Sequence, residues 1–147
     1  MSSSQPSPLR DTTGSETPSP PSHLAWIEYG STAVSLAVLV QAVLAGQIVS
    51  GDHSFTAPHR VLAEFLPLAA IGLALLPWIH RRPARDGLAL ALVAGAVLVV
   101  IQTGLGFAGR ESAAAIAVHV PVGTAILGVY VGSAATARSR RLRLQQA

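Results

Sequence analysis

Four apolar stretches, each long enough to cross a bilayer, dominate this 147-residue chain. They run over about 26–49, 59–79, 88–107 and 113–137. A hydrocarbon layer about 30 Å thick takes about 20 helical residues. Inside it the backbone must satisfy its own hydrogen bonds, so runs of this length are helices whatever their Val and Ile content. The predicted fold is therefore all-α, a transmembrane four-helix bundle forming one domain over residues 23–137. Composition agrees: half the residues are hydrophobic and 12 % are charged, against about 25 % in a soluble domain. Cysteine is absent, which excludes disulfides, thiolate ligands and iron–sulfur clusters.

The flanks differ from the spans. Residues 1–22 are rich in Ser, Pro and Thr and bury too little apolar surface to offset their ordering entropy, so a disordered tail is expected. With no basic start and apolar run, it does not read as a signal peptide. All ten basic residues are arginines. Arg10, Arg81, Arg82, Arg85, Arg138, Arg140, Arg141 and Arg143 fall on one side of the predicted topology, and Arg60 and Arg110 on the other. The positive-inside rule then puts both termini in the cytoplasm of a multi-pass plasma-membrane protein, with 138–147 as a basic tail. Arginines clustered at segment ends point to orientation rather than to nucleic acid. Trp26, Trp78 and Tyr130 read as interfacial aromatics.

The spans are not independent. Gln41 stands 18 residues before His59, and Gln102 stands 17 before His119. A small residue follows each histidine at the fourth position (Ala63, Gly123) and a glycine at the thirteenth (Gly72, Gly132). This pattern predicts two tandem two-helix repeats, with two histidines facing each other across a pseudo-two-fold axis. His59 opens the second span. His119 lies about six residues into the fourth, about 9 Å from its end at 1.5 Å per residue. Both fall in the outer leaflet. Ionisable residues inside a membrane are costly and mark function by default. Two imidazoles gripping a metal porphyrin favour electron transfer over oxygen binding, and Ala63 and Gly123 would leave room for its face. A hydrogen-bonded packing pair, or another metal, is the competing reading.

Other polar residues extend the candidate site. Gln41 and Gln102 are expected to hydrogen-bond across helices. Arg60 and Arg110 flank the outer face, either holding propionates or snorkelling to the interface. Glu64, the one acid deep in a span, is expected to be neutral or hydrogen-bonded. His53 reads as a loop histidine, and His23, His80 and Glu28 as interfacial. Gly128 and Gly132 form a Gly-x-x-x-Gly pair suited to helix packing. Pro67, Pro77 and Pro121 are expected to kink or open their helices.

Over about residues 26–137 the chain resembles one four-helix half of haem A synthase. That family opens its second helix with His-Arg, as His59-Arg60 does here. It carries a Gln-x-x-Leu-Gly pattern late in the third helix, matched by Gln102-Thr103-Gly104-Leu105-Gly106, and a fourth-helix histidine ligand where His119 falls. The chain is also similar to small four-helix integral membrane proteins of Arg- and Ala-rich composition. It departs from the enzyme at Thr56, where the family has a catalytic glutamate, and in lacking the family's outer-loop cysteine pair. The resemblance thus implies the haem-binding scaffold without the hydroxylating activity.

The leading expectation is one b-type haem between His59 and His119, for electron transfer or haem handling. The alternative is a non-haem accessory subunit without catalytic activity. A haem-modifying oxygenase or a quinone-linked reductase ranks below both, so the balance is against an enzyme. Expected partners are the bilayer, haem or quinone, and a membrane-protein partner or second copy, with no nucleic acid.

Overall fold

The structure is a computed structural model that describes residues 22–80 and 86–146. The expected disordered tail, apart from its last residue, and the arginines at 10, 81, 82 and 85 lie outside those residues. Four helices follow one another: α1 (Ser22–Val49), α2 (Thr56–Ile79), α3 (Gly87–Ala108) and α4 (Ala113–Gln146). All four are long and apolar enough to cross a membrane, which makes the chain a multi-pass membrane protein. Pro67, Pro77 and Pro121 sit inside helices that continue through them. The main departure in length is α4, which runs past 137 through the arginines to Gln146.

Local chemistry sets the helix ends. α1 ends in a Schellman motif: the Gly51 N–H donates to the Ile48 carbonyl and the Asp52 N–H to that of Gln47. Gly51 holds φ at +102°, where a Cβ is strained. Asp52 then caps a single 3-10 turn, His53–Phe55, by accepting from the Ser54 backbone N–H (3.0 Å) and hydroxyl (2.6 Å). Those bonds hold its carboxyl below the usual carboxylate range. Asp86 caps α3 by accepting from the Leu88 N–H at 3.1 Å.

The helices pack in a ring. α1 lies against α2 and α4, and α3 lies against the same two. Across the diagonals, α1 with α3 and α2 with α4, the backbones of the described residues do not approach closely. This is an up-down-up-down bundle. One end, where α1 starts and α4 finishes, is basic; the other carries His59 and His119.

Packing is concentrated at the basic end. The buried residues fall within 23–35 of α1, 66–77 of α2, 88–99 of α3 and 126–137 of α4. None of the described residues from 36 to 65 or from 100 to 125 is buried. Tyr130 departs from the sequence reading. It is fully buried rather than interfacial, because Gly95 on α3 makes room for its ring: a Cβ there would lie 3.0 Å from the ring's Cζ. Trp26 and Trp78 stay exposed, at 67 % and 51 %.

Candidate functional site

At the loosely packed end, each helix contributes one polar residue of the duplicated pattern: Gln41 from α1, His59 from α2, Gln102 from α3 and His119 from α4. The ring order sets the histidines on diagonal helices and each glutamine on a helix adjacent to both. The His59 ring faces the backbone of Gln41, and the His119 ring faces that of Gln102.

The glutamine side chains tie the halves of each pair together. Gln41 Nε2 donates to the His59 backbone carbonyl at 2.9 Å, so α1 holds the first turn of α2. Gln102 lies against Gly123, one turn beyond His119; a Cβ at Gly123 would meet its Nε2 at 3.0 Å. Gly123 therefore admits the Gln102 amide, and Ala63, at the equivalent place in α2, is partly exposed. Gly106 plays a similar part for His119, since a Cβ there would come within 3.3 Å of its Cε1.

This cluster is unsatisfied. Gln41 Oε1, His59 Nδ1, Gln102 Oε1 and His119 Nδ1 are all sealed from solvent without a hydrogen-bond partner. A buried polar atom in that state costs about 1–3 kcal/mol. Each ring thus faces a glutamine carbonyl without closing a normal Nδ1 hydrogen bond. The Nε2 atoms are absent from that sealed set. Among the described residues, no group of three or more His, Cys, Asp or Glu gathers that could hold a metal ion.

The flanking charges are partnered locally. Arg60 donates through Nε to Glu64 Oε1 at 2.9 Å, in an i,i+4 pair whose side chains are 60 % and 50 % exposed. Arg110 lies over the Phe107 ring, 5.4 Å from its centroid. Both arginines border the histidine end on its exposed side.

The basic end holds contacts the sequence did not announce. Arg140 Nη1 donates to both Asp86 carboxylate oxygens at 2.8 and 2.7 Å, and that neighbour raises its pKa further. Arg141 donates to Glu28 Oε2 at 2.9 Å from Nε, so Glu28 is buried and paired rather than interfacial. His23 and His80 stack with ring centroids 5.0 Å apart. No family model, curated protein or solved structure matches the chain.

Proposed function

We propose that this membrane protein binds one b-type haem between His59 and His119 and serves in electron transfer or haem handling. The observation that carries the reading is the set of four orphaned polar atoms, one from each helix, at the loosely packed end. With Nδ1 of each ring sealed from solvent, Nε2 is the nitrogen left to meet a metal. Two imidazoles alone make a poor site for a bare ion such as zinc, which takes three or four protein ligands. They suit iron whose remaining positions a porphyrin fills. The likeness to one half of haem A synthase supports the same site, and Thr56 in place of the catalytic glutamate argues against that enzyme's oxidation step.

In this reading His59 and His119 would hold the haem iron. Arg110 and, once freed from Glu64, Arg60 are the available partners for propionates. Bound there, the haem would supply one-electron exchange. The arginine distribution supports a cytoplasmic location for both termini, with the site near the outer face of the plasma membrane.

The test is reduced-minus-oxidised absorbance of the full chain purified in mild detergent with haem supplied, with the haem-to-protein ratio. The expected result is sharp reduced bands at about one haem per chain. His119→Ala and His59→Ala should each abolish or shift those bands in protein that keeps its helical circular dichroism. A colourless, folded preparation would sink the proposal.

A second reading has its own observation. A groove of about 390 Å³ runs along the α2–α3 face between Leu75, Trp78, Val97 and Ile101. On α4, nothing stands within 4 Å of where Gly128 or Gly132 would carry a Cβ. Open small-residue faces suit a neighbouring helix, as in a non-haem accessory subunit. A colourless preparation that copurifies with a membrane partner would favour it.

A further inference from the structure

The basic end carries a cleft of about 280 Å³ far from the histidine pair. Its walls are largely apolar: Leu24 and Ile27 from α1, Pro77 from α2, Leu88 from α3 and Leu144 from α4. Its polar lining is His23, Asp86, Arg140 and Arg143. The cleft exists because α4 stays helical beyond its apolar span, which sets Arg140, Arg143 and Leu144 on one face at i, i+3 and i+4.

The charges around the cleft do not cancel. Arg140 is engaged by Asp86 and, beside the cleft, Arg141 by Glu28. Arg143 has no ion pair or hydrogen bond among the described residues, yet it lines the cleft and is exposed. Among the described residues, one arginine charge is left over at the rim of an apolar slot. The cleft also lies at a defined height. Leu24 and Ile27 bracket the exposed Trp26, and Pro77 adjoins the exposed Trp78. Exposed tryptophans at the ends of apolar spans mark the headgroup level. A ligand with a negative head and an apolar body, presented at that level, matches both the wall and the charge.

We propose that this cleft seats one anionic phospholipid, its phosphate on Arg143 and its upper acyl chain along Leu24, Leu88 and Leu144. The neutralised Asp86 then offers no repulsion to the phosphate, because Arg140 stands on both of its oxygens. The site is independent of the haem reading.

The test uses the full chain in detergent, with native mass spectrometry to count retained lipids. Melting temperature is followed during titration with phosphatidylglycerol, phosphatidylcholine or inorganic phosphate. The expected result is one retained phosphatidylglycerol per chain and a rise in melting temperature that phosphatidylcholine does not reproduce. Arg143→Gln should weaken the phosphatidylglycerol effect about fivefold, the scale of one arginine at a lipid surface. Arg138→Gln, which removes an exposed charge outside the cleft, should leave it unchanged. Equal retention of phosphatidylcholine, an unaltered Arg143→Gln protein, or an equal loss in Arg138→Gln would overturn the site. A full response to inorganic phosphate would overturn the lipid as its occupant.

Discussion

Single side chains carry the sharpest consequences of this fold. Gly95 faces the Tyr130 ring so closely that a methyl group must displace it. Tyr130 is fully buried and cannot give way cheaply. Gly95→Ala should therefore destabilise the bundle by about 1–3 kcal/mol, the usual range for overpacking, as measured by thermal or denaturant unfolding in detergent. Gly51→Ala should cost about 1 kcal/mol by a different route, backbone strain in the left-handed region. The placing of His59, His119, Gln41 and Gln102 at one end of the bundle followed from their positions along the four apolar spans. Tyr130 was misread as interfacial because its partner is a missing side chain on another helix. Glu64 was expected to be neutral or hydrogen-bonded, and it accepts from Arg60, four residues before it on the same helix. Exposed as both side chains are, breaking the pair with Glu64→Gln should change stability by less than about 0.5 kcal/mol.

At the level of helices, the spans were readable to within a few residues because lipid leaves the backbone few choices. The end of α4 was not. Its apolar stretch stops near 137, yet the helix continues to Gln146, because Arg140 and Arg141 find Asp86 and Glu28 on neighbouring helices. Those pairings join residues 54 and 113 positions apart, which no local pattern announces. The Glu28–Arg141 pair is mostly buried, with side chains 11 % and 20 % exposed. Removing Arg141 leaves a carboxylate in an apolar setting, so Arg141→Met should destabilise the protein by on the order of 3 kcal/mol. Adding Glu28→Met to it should restore most of the loss, and a double-mutant cycle in the same detergent measures how much. Failure of the second substitution to rescue would mean that the pair is not what holds α4 to α1.

The whole molecule is asymmetric along its axis. Its tight core lies wholly at the basic end, and the candidate site occupies the end without buried residues. Amide hydrogen exchange should therefore be slow over 24–35, 66–77, 88–99 and 126–137, and faster over 41–59 and 102–120, because sparse packing lowers the cost of local opening. If the haem proposal holds, its addition should slow exchange in the second set and leave the first nearly unchanged. Uniform protection along the helices without ligand would contradict the uneven packing. The repeat pattern showed that the ends of the spans differ in chemistry. It did not show that they differ in density, because apolar composition is similar from one end of each span to the other.

That uneven density makes the bundle a pair of tongs. The packed half acts as the pivot, and the four outer half-helices are the arms. Arms of this kind can part to admit an occupant without disturbing the pivot. If the haem proposal holds, heat resistance and loading speed should be separable properties. Gly95→Ala, at the pivot, should lower the melting temperature and leave the rate of occupant uptake nearly unchanged. Gly106→Ala, in an arm beside His119, should do the reverse.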